Sequence, residues 1–406
     1  MWVLDCGHAF CDDCTTKVMQ SPDKRCPTCR NDLRNTIGKL VQFFQQYVTM
    51  GQTWSIQDFR RKELRINSNS LTALPDSFVQ LTGLKDLSLS RNNLRSLPES
   101  FGQLVGLQEL YLINNQLTSL PDSFGQLNVL KALDLNNNQL TSLPESFVQL
   151  TGLQQLFLNH NKLEQLPESF GKLTGLKTLG LFNNSLTSLP ESFGNLTGLQ
   201  ELKLETNQLT SLPESFGKLT GLQYLNLYGS QLGSLPESFG NLTGLKSLYL
   251  SYNKNLTSLP ESFGNLTGLQ YLHLENNQFS KLPESFGQLT GLEKLYLKNN
   301  KLESLPESFG QLTVLETLHL SINQLQRLPE SFGQLESLKE LHLYDNQLTS
   351  LPDSFGELVG LKELYLEYNN DFNEESRPPK SITDQNNFRL IKKWFEDNPV
   401  NPMDVE

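Results

Sequence analysis

Leucine residues recur along most of the chain in a repeating pattern. In one unit, residues 107–129, Leu110 and Leu112 are separated by one residue, which is the spacing of side chains on one face of a β-strand. Asn115 follows, and its amide is suited to bond backbone groups that a bend leaves unpaired. The pattern predicts a short strand, with its leucines pointing into a core, and then a tight turn.

The second half of the unit is predicted to return the chain along the opposite side of the core. Pro121 suits the first position of a short helical turn, and the acidic Asp122 suits the positive end of that turn. Phe124 and Leu127 are expected to close the core from this side. Gly125 is expected to help end the turn.

About fourteen copies of the unit lie between residues 61 and 370. The Leu-Pro prolines lie 23 residues apart from Pro75 to Pro236, and the next one, Pro260, follows after 24. The extra residue lies within 252–256, and the preceding unit carries Ser230 in the asparagine position. We therefore expect a local break in the asparagine pattern and a small bulge there.

The unit follows the pattern Leu-x-x-Leu-x-Leu-x-x-Asn-x-Leu-x-x-Leu-Pro and resembles the leucine-rich repeat family. Within the family it is similar to the 23-residue intracellular class of Ras-signalling scaffolds and their plant relatives. The resemblance covers about three quarters of the chain. It implies an α/β solenoid, a leucine-rich repeat horseshoe, over residues 61–370.

A solenoid needs caps at its ends. Residues 34–60 are predicted to be a linker and an N-terminal capping helix, with an apolar face of Ile37, Leu40, Val41, Phe44 and Tyr47. Residues 371–406 are predicted to be a C-terminal capping helix and tail, with an apolar stripe of Phe388, Ile391, Trp394 and Phe395.

All five cysteines lie within the first 29 residues. An odd number of cysteines in so short a segment, with a histidine among them, indicates metal binding rather than disulfides. Secreted repeat proteins usually carry cysteine-stapled caps, so the cysteine-free repeats favour a reducing, cytoplasmic setting.

Residues 6–30 read Cys-Gly-His-Ala-Phe-Cys-Asp-Asp-Cys, then eleven residues, then Cys-Pro-Thr-Cys-Arg. This segment resembles a RING finger, the zinc module of ubiquitin ligases, and predicts a small RING-like zinc module at 1–33. The family binds two zinc ions in a cross-brace of four ligand pairs, in closed tetrahedral sites. The resemblance implies six zinc ligands: Cys6, His8, Cys11, Cys14, Cys26 and Cys29.

The family's first ligand pair is absent because the chain begins inside the motif. In the cross-brace the second and fourth pairs share one zinc, which has a complete ligand set: Cys6, His8, Cys26 and Cys29. The third pair, Cys11 and Cys14, has only half a site. We expect the true start to lie upstream, or the chain to be a fragment; a degenerate module is the alternative.

The resemblance also implies a contact with a ubiquitin-conjugating enzyme. Pro27 matches the family's contact proline, Arg30 matches the arginine that bonds both the enzyme and ubiquitin, and Val18 occupies a helix position where many members place a large apolar residue. A RING holds the charged thioester in a reactive pose, which is catalysis by positioning, so no catalytic nucleophile is expected.

The residues between the strand leucines are predicted to line the concave face, and many of them are aromatic or histidine. Surfaces rich in tyrosine are typical of protein-binding patches. The alternative is that the rings stack between repeats and stabilise them; for the histidines, the regular spacing favours stacking over metal binding. The predicted protein-binding residues are Tyr111, Phe157, Phe182, Tyr228, Tyr249, His273, Tyr296, His319, His342 and Tyr365.

Net charge and hydropathy exclude two classes of partner. The formal net charge of −11 argues against nucleic acid. No stretch approaches the roughly 18 apolar residues of a membrane span, and the N-terminus does not read as a signal peptide. We expect neither nucleic-acid nor membrane binding.

Two functions remain. In the first, the RING recruits a ubiquitin-conjugating enzyme and the repeats bind a protein substrate. In the alternative, the chain is a non-enzymatic interaction scaffold with a vestigial zinc module. A Cys-x-x-Cys segment upstream would favour the first, and without it the chain should be a poor ligase. A RING joined to such similar repeats also resembles eukaryote-like effectors of intracellular bacteria, which would place it in a host cytosol.

Overall fold

The computed structural model describes residues 62–68 and 70–369, together with two short N-terminal strands, β1 (Trp2–Val3) and β2 (Ala9–Phe10). These two strands pair antiparallel, with Trp2 opposite Phe10. The predicted zinc ligands, the residues predicted to contact a conjugating enzyme and both predicted capping helices lie outside the described residues.

The chain divides into two compact units, Met1–Ser185 and Leu186–Glu406. Each contains three-residue strands that pair in parallel and in chain order. The first unit has β3 (Glu63–Arg65), β4 (Asp86–Ser88), β5 (Glu109–Tyr111), β6 (Ala132–Asp134), β7 (Gln155–Phe157) and β8 (Thr178–Gly180). The second has β9 (Glu201–Lys203), β10 (Tyr224–Asn226), β11 (Ser247–Tyr249), β12 (Tyr271–His273), β13 (Lys294–Tyr296), β14 (Thr317–His319), β15 (Glu340–His342) and β16 (Glu363–Tyr365).

Short 3-10 helices return the chain after each of the strands β3 to β15. In the first unit they are Asp76–Gln80, Phe101–Gln103, Asp122–Gln126, Glu145–Gln149 and Phe170–Lys172. In the second they are Glu191–Asn195, Glu214–Lys218, Glu237–Asn241, Glu261–Asn265, Glu284–Gln288, Glu307–Gln311, Glu330–Gln334 and Asp353–Glu357. Within the described residues, no helix is long and apolar enough to cross a bilayer.

The core follows the predicted pattern. Leu110 and Leu112 are fully buried, as is Phe124 on the helical side. The phenylalanine rings of neighbouring repeats lie parallel, with centroids 6.1 Å apart for Phe101 and Phe124. The strands pair in a register that puts equal positions side by side, for example Leu110 opposite Leu133. Within each unit, strand leucines and core phenylalanines therefore pack against their counterparts in a neighbouring repeat.

Proline and glycine act differently from the prediction. Pro121 lies one residue before the helix in extended geometry, at φ −68° and ψ 152°, and its carbonyl accepts the first helical hydrogen bond from Phe124 N–H at 2.9 Å. Gly125 lies inside the helix rather than at its end, and a Cβ there would come within 2.2 Å of the Ser146 carbonyl oxygen. Glycine suits this position because the next repeat packs closely against it.

Two repeats show what accompanies a larger side chain at the glycine position. Val79 and Val148 occupy the glycine position, and the helices of the repeats that follow are three residues long instead of five. Those helices, Phe101–Gln103 and Phe170–Lys172, begin two residues late. The larger side chain thus accompanies a shortened helical turn in the neighbouring repeat.

The predicted role of the asparagine is confirmed. Asn115 Oδ1 accepts a hydrogen bond from Leu94 N–H at 3.0 Å. Its Nδ2 donates to the carbonyl oxygens of Leu89 at 2.9 Å and Leu112 at 3.1 Å. One buried amide therefore satisfies three backbone groups in two consecutive repeats. We call this repeated arrangement the asparagine ladder.

The residue before each ladder position adopts a left-handed backbone conformation, as at Asn114 with φ 55°. Asparagine and glycine tolerate this conformation well, whereas a β-branched residue is strained in it. Ile322 nevertheless adopts it, at φ 57°. The tight turn is thus set by the repeat as a whole rather than by the local preference of this residue.

The expected break in the ladder occurs at Ser230. This residue is buried, and its hydroxyl has no hydrogen-bond partner in the described part of the chain, so the Leu209 N–H lacks the acceptor that asparagine gives its counterparts. In the next repeat, the inserted residue creates a turn in which Leu256 N–H donates to Asn253 O at 2.9 Å. The Asn253 N–H donates a hydrogen bond to Asn277 Oδ1 at 2.7 Å. In the regular repeats this acceptor is used by a leucine N–H instead.

Replacing Ser230 with asparagine should repair the ladder. We expect Ser230→Asn to increase the free energy of unfolding by about 1 kcal/mol, since the amide supplies an acceptor to Leu209 N–H and two donors. The matched variant Asn207→Ser removes the acceptor of Leu186 N–H and should decrease it by about 1–3 kcal/mol. Urea unfolding measures both; destabilisation by Ser230→Asn would contradict the role given to the ladder.

Candidate functional site

In the second unit, the last residue of each strand lies between two buried leucines, one within the strand and one directly after it. Six consecutive strands carry a ring at this position, on the sheet face opposite the leucine core. We call this set the aromatic ladder: Tyr249, His273, Tyr296, His319, His342 and Tyr365. Parallel strands lie about 4.8 Å apart, so in-register rings are brought into contact.

The rings do stack, as the alternative interpretation of the sequence expected. The Tyr249–His273 and His273–Tyr296 centroids are 4.5 and 4.3 Å apart, with 13° between the planes in each pair. His342 stacks on Tyr365 at 4.2 Å and 20°. All the rings are partly accessible, so stacking and a role in binding are compatible.

The stack changes orientation at His319. Its ring meets Tyr296 edge-on, with 77° between the planes and 4.8 Å between the centroids. It then lies 4.0 Å from His342 at an interplanar angle of 45°. The regular parallel arrangement is therefore confined to the two ends of the aromatic ladder.

A carboxylate bridges the two histidines at this point. Glu340 Oε1 lies 2.7 Å from His342 Nε2 and 3.3 Å from His319 Nε2. Burial alone would raise the pKa of Glu340, but the hydrogen bonds from both imidazoles lower it below its usual value. Desolvation, with the adjacent His342, lowers the pKa of His319 against the opposing effect of Glu340. At neutral pH the site thus combines an ionised carboxylate with a neutral His319.

A simpler pair lies two strands earlier. His273 Nδ1 is 3.3 Å from Glu275 Oε1, and Ser251 donates a short hydrogen bond to the same carboxylate. Burial raises the pKa of Glu275, but the bonds from His273 and Ser251 outweigh it and lower the pKa overall. His273 has one carboxylate neighbour and two tyrosine faces, so its environment differs from that of His319.

The other predicted binding residues lie outside the aromatic ladder. Tyr111 donates a hydrogen bond to Glu109 at 2.7 Å, which together with desolvation raises its pKa to about 12. Phe182 meets His160 edge-on at 4.5 Å. Tyr228 is 42% exposed and packs at 4.9 Å against Tyr252, which is 43% exposed. Phe157 makes no ring contact within the described residues.

The first unit has a shallow, open pocket of about 320 Å³ on its sheet face. Its lining includes the carboxylates of Glu63, Asp86 and Glu109 beside Arg65. Desolvation, then repulsion from Glu109 and Glu63, raises the pKa of Asp86. Its three carboxylates make the pocket acidic, and therefore unlike the aromatic ladder.

Sequence reasoning missed the glutamates of this face. Glu340 and Glu275 each lie two residues from a histidine, and alternate residues of a strand share a face. That spacing was the available signal. The sequence does not show which side-chain rotamers turn these glutamates toward the histidines, and the contacts with His342 and His273 depend on them.

Models of the leucine-rich repeat family match most of the described chain. The model "Leucine-rich repeat region" matches residues 167–255 and 292–384, and "Leucine rich repeat" matches 62–117, 106–163 and 233–279. A two-copy repeat model matches residues 267–312. At the N-terminus, the model "zinc-RING finger domain" matches residues 1–31. No curated protein is significantly similar in sequence.

Solved structures give the same assignment. A leucine-rich repeat protein of Leptospira interrogans is 37% identical, with 86% of each chain covered and a TM-score of 0.72. The plant peptide hormone receptor RGFR1, solved in complex with RGF2, is 32% identical over 76% of this chain and 51% of its own, with a TM-score of 0.67. PEPR1 with AtPEP1 is 28% identical over 83% and 55%, with a TM-score of 0.65. The present chain thus spans about half the length of each of these two chains.

The stacking of His273 on Tyr296 should contribute measurably to stability. In a double-mutant cycle of His273→Ala and Tyr296→Ala, we expect a coupling free energy of about 0.5–1.5 kcal/mol. A control cycle uses Asp134→Ala and Phe157→Ala, which are also paired in register but bring together only one ring. Urea unfolding of the four variants in each cycle measures the coupling. Equal coupling in both cycles would contradict a specific ring–ring contribution.

Proposed function

The chain belongs to the leucine-rich repeat family, and we propose that it is a ubiquitin-ligase-type protein of the 23-residue intracellular class. In this proposal, the N-terminal zinc module recruits a ubiquitin-conjugating enzyme. The repeats bind a protein substrate and hold it near the charged enzyme. The chain itself forms no covalent intermediate, because the module acts by positioning the thioester.

The observation that carries the proposal is a zinc-RING match on the same chain as a long repeat array. The strands β1 and β2 pair antiparallel, and Cys6 and His8 lie between them in the sequence. Cys26 and Cys29 supply two more thiolates, and four such donors suit a closed structural zinc site. Pro27, Arg30 and Val18 are the proposed contacts with the conjugating enzyme.

The proposed substrate surface is the aromatic ladder with the neighbouring Tyr228–Tyr252 pair. Tyrosine rings supply a large contact area with a polar edge and are enriched in protein interfaces. The Tyr228 and Tyr252 rings are already packed together while remaining accessible, so binding would immobilise few additional side chains. A protein or peptide partner therefore suits this face better than a small molecule.

The proposed setting is the cytoplasm, including the host cytosol if the chain is a bacterial effector. The cysteine-free repeats suit a reducing compartment, and a thiolate zinc module does as well. The net charge of −11 gives no general attraction for nucleic acid or anionic membranes.

A non-enzymatic scaffold is the second candidate. In the printed sequence, Cys11 and Cys14 have no further cysteine or histidine pair with which to complete a second zinc site. Metal binding supplies folding energy in such small modules, so an incomplete site would leave part of the enzyme-binding surface unformed. The repeats would then bind a partner without promoting ubiquitin transfer.

The test is a discharge assay with charged conjugating enzymes and free lysine. We expect the chain to accelerate ubiquitin release weakly, and a version preceded by a Cys-x-x-Cys loop to do so strongly. Arg30→Ala should then slow release by roughly tenfold without zinc loss, since one charge-assisted hydrogen bond is removed. Arg25→Ala, in the same module but outside the matched contacts, is the control.

Zinc content by native mass spectrometry accompanies each variant and excludes unfolding of the module as the cause. Failure of every conjugating enzyme to respond, with or without the added loop, would exclude ligase activity. If ligase activity is excluded in this way, a displayed peptide library tests the scaffold. Peptides whose binding to the repeats is weakened by Tyr296→Ala, but not by the exposed control Val359→Ala, would support it, and the absence of any such peptide would count against it.

A further inference from the structure

Two histidines and one glutamate of the second unit converge on a single point. His319 ends β14, while Glu340 and His342 begin and end β15. Parallel pairing places His319 opposite His342 and Thr317 opposite Glu340. Strand pairing therefore holds the backbone of all three residues in place, and none of them lies in a loop.

The side-chain donor atoms of the three residues also lie close together. Both Nε2 atoms approach the same carboxylate oxygen of Glu340, at 2.7 Å from His342 and 3.3 Å from His319. One ligand atom from each residue lies within 4.8 Å of the others. In a tetrahedral zinc site, bonds of about 2.0–2.2 Å separate donor atoms by roughly 3.3 Å. Small side-chain rotations would bring the three donors to that spacing.

The stacking pattern changes at the same place. The rings of Tyr249, His273 and Tyr296 lie nearly parallel. An uninterrupted stack would have the next ring, that of His319, parallel to them as well. His319 departs from that arrangement and turns its Nε2 toward the carboxylate that His342 also contacts. Stacking explains the position of His273, but it does not explain why His319 is turned.

We propose that His319, Glu340 and His342 bind one divalent transition-metal ion of the zinc class on the sheet face of the second unit. Two imidazoles and one carboxylate form an established donor set for zinc with an open fourth position. The site is open enough for that position, because the side chains are 25%, 35% and 19% exposed, respectively. Water or a side chain of a bound partner would occupy it.

The donor chemistry is consistent with binding. A metal ion needs the lone pair on each Nε2, so both imidazoles would carry their proton on Nδ1 in the metal-bound state. Glu340 contributes the negative charge that offsets the ion. His273 provides an internal comparison, because it has the single carboxylate neighbour Glu275 and no second imidazole on that carboxylate.

The experiment counts metal on the full chain. Chelator-treated protein is dialysed against Zn²⁺, and bound zinc per chain is measured by elemental analysis for wild type, His342→Gln, Glu340→Gln and His273→Gln. The N-terminal cysteines contribute equally to all four proteins, so differences report on the sheet-face site. We expect His342→Gln and Glu340→Gln each to bind one zinc ion fewer per chain, and His273→Gln to match wild type.

Cobalt substitution adds a second readout. A site of imidazole and carboxylate donors should give visible Co²⁺ ligand-field bands without thiolate charge transfer, and His342→Gln should remove these bands alone. Circular dichroism verifies that each variant is folded; Glu340→Gln keeps both histidines and nearly the same shape. Equal zinc uptake in wild type, His342→Gln and Glu340→Gln would overturn the proposal, as would an equal loss in His273→Gln. Neither result depends on ubiquitin transfer.

Discussion

The hydrogen bonds of the buried asparagine amides, which recur from repeat to repeat except at Ser230, are the constraint on which the rest of the structure depends. Asn323 is representative: it accepts from Leu302 N–H at 3.1 Å and donates to the carbonyls of Leu297 at 3.0 Å and Leu320 at 2.9 Å. These bonds satisfy backbone groups that the turn removes from the sheet, where they would otherwise be buried without partners. Because they span neighbouring repeats, they also fix how each repeat lies on the next.

Fixed stacking of repeats determines what the exposed sheet face can do. Strand pairing in register places His273 beside Tyr296, and His319 beside His342, although 23 residues separate each pair in sequence. Such a face can gain a binding surface when the residue at one strand position is substituted in successive repeats. The leucine core does not change. The aromatic ladder of the second unit and the acidic pocket of the first illustrate two such outcomes on the same backbone.

The periodic part of the fold could be predicted from sequence because each repeat has the same spacing of leucine, asparagine and phenylalanine residues. The inward leucines, the asparagine turn and the phenylalanine core followed from spacing alone. The role of Gly125 did not, because it depends on a carbonyl of the next repeat that only the packed structure brings within 2.2 Å of a Cβ. The turned ring of His319 and its shared contact with Glu340 were also beyond reach, since they depend on side-chain rotamers in two adjacent strands. The zinc ligands and both caps, which lie outside the described residues, remain predictions.

Amide hydrogen exchange resolved to single residues tests the central claim most directly. Leu232, Leu302 and Leu325 donate their N–H groups to ladder asparagines, whereas the position that would serve Leu209 is Ser230, whose hydroxyl has no hydrogen-bond partner among residues 70–369. If the asparagine amides fix the repeats, the first three should exchange at least roughly tenfold more slowly than Leu209, in line with about 1.4 kcal/mol of added protection. Exchange at Leu302 and Leu325 as fast as at Leu209 would contradict the account.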